Sequence, residues 1–173
     1  MIGLDTTFLV QVEIQETAGH QAALAVLQRE IAGRDREAAL APQVLSEFVH
    51  VATDRRRFER PLSMAQALAK AGFWWNATEV ERIIPDDHVV SQFLAWMQEH
   101  GLGRKRLLDT MLAATYYRSG VTRIVTSNAR DYRVFGVFEL TEVQGSPGRA
   151  VIREGRRTRT HQDARLSSRE RRK

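Results

Sequence analysis

Four carboxylates stand far apart in this chain of 173 residues: Asp5, Glu47, Asp109 and Asp131. Acids gathered in one place repel one another unless a cation neutralises them. The chain has no cysteine, so a metal there would meet oxygen donors, which suit Mg²⁺ or Mn²⁺. Such an ion polarises a phosphoryl oxygen and activates water for in-line attack. Thr6, Thr7, Thr126 and Ser127 place hydroxyls beside the acids of both chain ends, where they can bond carboxylates or bound water.

The elements give the four acids a common address. "MIGL" reads as a short buried strand with Asp5 at its carboxyl end. "TRIVTS" (122–127) reads as another, and Asn128 and Asp131 follow it. Helical patterns begin near 44 ("VLSEFVHVATDRRRF", 44–58) and 105 ("KRLLDTMLAATYYRSG", 105–120) and carry Glu47 and Asp109 close to their starts. Strand ends and the starts of helices that follow strands lie on the same edge of a parallel sheet.

The remaining pattern supports that sheet. Helices are expected over 17–33, over 63–75 with Ser63 as N-cap, and over 86–101 with acids at its start. Further strands are expected in "AALAPQ" (38–43), broken by Pro42, in "VERIIP" (80–85) and in "FELTEV" (138–143). Strands alternating with helices make an α/β fold, a mostly parallel central sheet flanked by helices, in a single domain over 1–145. Ligands in such folds bind outside the carboxyl ends of the strands.

Each residue also has a plainer use. Asp5 can cap a following helix, Glu47 can be a solvated helix residue, Asp109 can pair with Arg104 or Arg106, and Asp131 can form a turn in "SNARDY". All four would have to hold at once for the site to vanish. "GRKR" (103–106) makes Arg104, Lys105 and Arg106 candidates for a phosphate-binding rim, with a solvated basic loop as the alternative. Trp74, Trp75 and Trp96 fit core or partner packing better than base stacking, and Tyr116 and Tyr117 should split between core and surface. The Glu47-x-x-His50 spacing lacks the second copy a di-iron bundle needs.

Charge is unevenly divided. Residues 149–173 hold ten Arg/Lys against three Asp/Glu, and the rest hold sixteen against eighteen. The body is slightly acidic, and 146–173 read as a basic tail, either a polyanion-binding arm or a solvated end. No apolar run approaches the ~20 residues of a membrane span, and no signal peptide is expected. Both fit a cytoplasmic protein, as does the lack of cysteine.

The pieces "IGLDTTFLV", "LSEFVH", "LLDTMLAATYYRSG" and "IVTSNARDYRVF", in that order over residues 1 to 143, resemble the PIN-domain ribonucleases, and within them the VapC toxins of bacterial toxin–antitoxin pairs. The resemblance implies a metal-dependent endoribonuclease with Asp5, Glu47 and Asp109 as metal ligands and catalytic acids. The fourth position varies in the family between acid and amide; here it is Asn128, and Asp131, three residues on, is left as a supporting or second-metal acid. Thr7 matches a hydroxyl or amide position, with Ser127 beside the fourth. The likeness also implies an RNA substrate, a homodimer and a cognate antitoxin, docked on apolar surface around Phe58, Phe73 and Trp74.

Two other readings stay open. A haloacid-dehalogenase-like phosphatase also starts with an aspartate after its first strand, but wants a second Asp where Thr7 stands. A PIN-like module that binds RNA without cutting it would find its foothold in Asn128.

Overall fold

The structure is a computed structural model and describes residues 1–144. The basic segment expected over 146–173 lies outside the described residues. Five strands, β1 (Ile2–Leu4), β2 (Ala38–Leu40), β3 (Val80–Arg82), β4 (Arg123–Thr126) and β5 (Glu139–Glu142), form one sheet in the order β3-β2-β1-β4-β5. Every pairing is parallel. Strand order runs outward from β1 in both directions, so the switch point lies between β1 and β4.

Seven helices flank it: α1 (Thr6–Glu13), α2 (His20–Val26), α3 (Pro42–Ala52), α4 (Met64–Asn76), α5 (Asp87–Glu99), α6 (Leu107–Arg118) and α7 (Arg130–Arg133). The central strands are apolar on both faces: Ile2, Leu4, Ala38, Ala39, Leu40, Ile124 and Val125 are all buried. That is what a parallel sheet covered by helices requires. Phe8, Leu9, Val44 and Phe48 press α1 and α3 into the same core.

Local sequence explains the element ends. Ser63 and Gln66 form a reciprocal capping box at the start of α4. Asp86 caps α5 through the Val89 N–H at 3.1 Å. Gly101 and Gly120 follow α5 and α6 with φ of +58° and +73°, a conformation that glycine adopts without steric cost.

Several expectations need correction. Pro42 does not break a strand from within; it opens α3 at a first-turn position, where its missing N–H costs nothing. That helix ends at Ala52 rather than Phe58, because the Asp54 carboxylate takes the Arg56 N–H at 2.9 Å and turns the chain. The helix expected over 17–33 is α2 followed by a π turn, Leu27–Ile31. Helix α1 was expected only in the plainer reading of Asp5 as a cap, which it is, and α7 was not expected.

Candidate active site

Asp5 stands where β1 hands over to α1. Its backbone N–H bonds the Val125 carbonyl of β4 at 3.1 Å, so the residue straddles the switch point. The carboxylate is 6% exposed and accepts four hydrogen bonds. Oδ1 accepts from the Thr6 N–H at 2.8 Å and the Tyr132 hydroxyl at 3.0 Å. Oδ2 accepts from the Thr7 hydroxyl at 2.7 Å and the Thr126 hydroxyl at 2.6 Å.

Two of those hydroxyls are aimed by the loop after β4. Thr7 Oγ1 accepts from the Ser127 N–H, and Thr126 Oγ1 from the Asn128 N–H, each at 2.9 Å. With backbone donors on their lone pairs, their own protons turn to Asp5. The helix cap and the site are thus one arrangement. Thr7 bonds Asp5 directly, while Ser127 bonds Thr7 through its main-chain N–H.

Glu47 reaches the site from α3. Its Oε2 accepts from the Thr6 hydroxyl at 2.8 Å, which ties it to the residue next to Asp5. His50, three residues on, is exposed. Asp109 lies in the first turn of α6, where the helix dipole favours an anion. Burial pushes its carboxyl up to about 6, and the charges of Asp131 and Asp5 add to that, with Glu47 contributing less. Arg106 partly opposes the rise. This mutual repulsion is the sign that four acids distant in sequence share one neighbourhood.

Asp131 is in the first turn of α7. Its Oδ1 pairs with Arg106 Nη1 at 2.6 Å, and its backbone carbonyl accepts from Arg106 Nη2. The Asn128 side-chain amide donates to its Oδ2. Arg104 and Lys105 are exposed on the 3₁₀ turn Arg104–Arg106, whereas Arg106 turns inward to the acids.

Tyr132 is the residue that sequence reading missed. It is 1% exposed, and burial with the nearby Asp5 charge holds its hydroxyl well above the usual phenol range, as a donor. Tyr116, also buried, donates to the Leu4 carbonyl at 2.6 Å and the Ala39 carbonyl at 3.1 Å, clasping β1 to β2 beneath the site. Tyr117 is exposed, as the pair was expected to split. Trp96 stacks on Phe135 with ring centroids 4.5 Å apart, in the core.

The sequence matches the PIN domain family over residues 2–136. The chain belongs to that family. The phosphatase alternative falls with this assignment. Similar solved structures include VapC20 of Mycobacterium tuberculosis, described as a sarcin–ricin loop cleaving toxin, at 17% identity over 72% of this chain and 87% of that chain, TM-score 0.57. VapBC2 of Rickettsia felis, bound to a DNA fragment from its promoter, matches at 17% identity over 83% of this chain and 100% of that chain, TM-score 0.56. A toxin–antitoxin complex from Klebsiella pneumoniae matches at 17% identity over 84% of this chain and 100% of that chain, TM-score 0.53. At such identities the likeness is one of fold. No curated protein sequence matches significantly.

The donor set of this PIN domain fits a hard divalent ion, because every candidate ligand is a carboxylate and a cation would relieve the repulsion felt by Asp109. The oxygens are not drawn into a tight cage. Among the described residues, the one group of three acids or histidines with ligand atoms all within 4.8 Å is Asp86, Asp87 and His88, exposed at the start of α5. Asp5, Glu47 and Asp109 do not form such a group.

Proposed function

We propose that this PIN domain is a divalent-metal-dependent endoribonuclease, the toxin of a toxin–antitoxin pair acting in the cytoplasm. The observation that carries the reading is the convergence of Asp5, Glu47 and Asp109 at the switch point of the sheet, with Asp109 pushed up to about 6. A bound Mg²⁺ or Mn²⁺ supplies Lewis acidity toward the phosphodiester and the attacking water.

The chain's own residues hold that ion and shape its surroundings. Asp5, Glu47 and Asp109 provide the negative charge. Thr6, Thr7, Thr126 and Tyr132 fix the orientation of Asp5 and Glu47, so that little reorganisation accompanies reaction. Arg104 and Lys105, exposed on the turn before α6, meet the RNA backbone, which the acids would otherwise repel. Asn128 donates to Asp131, which gives the amide a use beside the acids in this reading.

A cognate antitoxin and a second copy of the chain are the expected protein partners. Met64, Leu68 and Phe73 of α4 are exposed, while Trp74 is buried and donates to Glu13 at 2.7 Å. The docking surface is therefore built without Trp74. No helix among the described residues is long and apolar enough to cross a membrane.

The decisive experiment is RNA cleavage by the purified chain with and without Mg²⁺ or Mn²⁺, beside Asp109→Ala and Glu47→Ala. Cutting that needs the ion and both acids, with the fold intact by circular dichroism, supports the nuclease. Equal background from all three proteins on transfer, ribosomal and messenger RNA would leave a non-cutting RNA-binding module.

A further inference from the structure

Asp131 is the acid whose role the sequence left open, and its surroundings differ in kind from those of Asp5. Asp5 is held by three hydroxyls and one backbone N–H, and no cation among the described residues pairs with it. Asp131 is held by nitrogen donors alone: Arg106 on Oδ1 and on its backbone carbonyl, and Asn128 on Oδ2. Guanidinium and amide N–H groups have no lone pair to turn toward a cation. Each carboxylate oxygen of Asp131 carries one such donor, and the guanidinium neutralises its charge.

Arg106 also faces the other acid. It precedes Asp109 by one helical turn, and its Nε points at Asp109 Oδ2 from 3.8 Å without a hydrogen-bond partner. Its side chain is 21% exposed and that of Asp131 is 20%, so water screens the pair only weakly. A fixed positive charge thus faces both Asp109 and Asp131.

We infer that Arg106 is a built-in counter-cation that withdraws Asp131 from the metal set, so that the site takes a single divalent ion on its Asp5, Glu47 and Asp109 side. This rests on the metal-dependent reading above. Arg106 acts as a positioning residue: it fixes the number of ions through Asp131 and touches no substrate. Asn128 completes the arrangement, because an acid at that position would repel Asp131 where the amide donates to it.

The test is Mn²⁺ titration of the full chain by calorimetry and electron paramagnetic resonance, with Asp87→Asn and His88→Ala in every protein so that the exposed group on α5 adds no site. The expected result is one Mn²⁺ for the parent, a second Mn²⁺ for Arg106→Gln, and one again for Arg106→Lys, which restores the charge. Asp131→Asn, made in the presence of Arg106, should leave the single Mn²⁺ affinity in place. Two ions in the parent, no second ion in Arg106→Gln, or a loss of about tenfold or more in Asp131→Asn, the scale of a lost ligand or its support, would each overturn the inference while the metal-dependent reading survives. If no variant binds Mn²⁺, the metal-dependent reading falls and takes the inference with it.

Discussion

Tyr132 reaches Asp5 across 127 residues of chain, and its buried hydroxyl donates to Oδ1 at 3.0 Å. The contact joins the one-turn helix α7 to the end of β1. It makes the orientation of the first acid depend on the last part of the described fold.

Removing that hydroxyl is the cleanest probe of the arrangement. Tyr132→Phe keeps the ring in the core and deletes one donor to a carboxylate, a bond worth about 1.5–3 kcal/mol. The expected outcome is a lower Tm with an unchanged circular dichroism spectrum, and slower RNA cleavage at saturating Mn²⁺. Full cleavage activity in a destabilised protein would show that the bond serves the fold alone.

Thr6→Val tests the link to Glu47. Valine is close in size to threonine and keeps the backbone N–H that Asp5 Oδ1 accepts, but it cannot donate to Glu47 Oε2. Stability should fall by about 1–3 kcal/mol. Mn²⁺ should bind about tenfold or more weakly, as for a lost support of a metal ligand. Isothermal titration calorimetry reads the second quantity directly.

Asp109 sets a pH dependence. Its carboxyl rises from 3.8 to about 6 on folding, so the folded chain binds its proton more tightly than the unfolded chain does. The stability that this contributes is fully present below pH 3.8 and is lost as pH rises through about 6. Without divalent ions, Asp109→Asn should therefore melt above wild type at neutral pH and converge with it in acid. Mn²⁺ at neutral pH should raise the Tm of wild type and not that of the variant. The same titration requires Mn²⁺ binding to weaken as pH falls below about 6.

Gly3 carries a prediction about the sheet. A Cβ there would lie 2.8 Å from two ring atoms of Tyr116, the residue that clasps β1 to β2. Gly3→Ala should cost about 1–3 kcal/mol, the usual range for overpacking, read by urea unfolding. The loss should shrink when Tyr116 is replaced by Leu, which removes the clashing ring.

Much of this was legible in the sequence where local chemistry decides the element. The Ser63 box, the acids before α5, the β-branched run of β4 and the aspartate closing β1 each mark an element by themselves. Helix α1 gives a weak pattern because Thr6, Phe8, Leu9, Val10 and Val12 are all buried, which leaves only Thr7, Gln11 and Glu13 as a narrow polar face. Helix α7 is one turn of four residues, too short for any period. The four acids could be placed on one edge by counting strands, but their partners could not. Tyr132 looks like any aromatic after a turn until the fold carries it beneath Asp5. The inward turn of Arg106, out of a run of three basic residues, has no local signature either.

Placing β1 in the middle of the sheet has a consequence for when Asp5 acquires its donors. Asp5 ends β1, yet β4, Thr126 and Tyr132 follow it more than a hundred residues later. A nascent chain that has not yet delivered them has a central strand with one neighbour missing and an acid with half its donors absent. Pairings this distant in sequence form late in folding. The orientation of Asp5 is therefore set by tertiary contacts distant in sequence and not by its own strand.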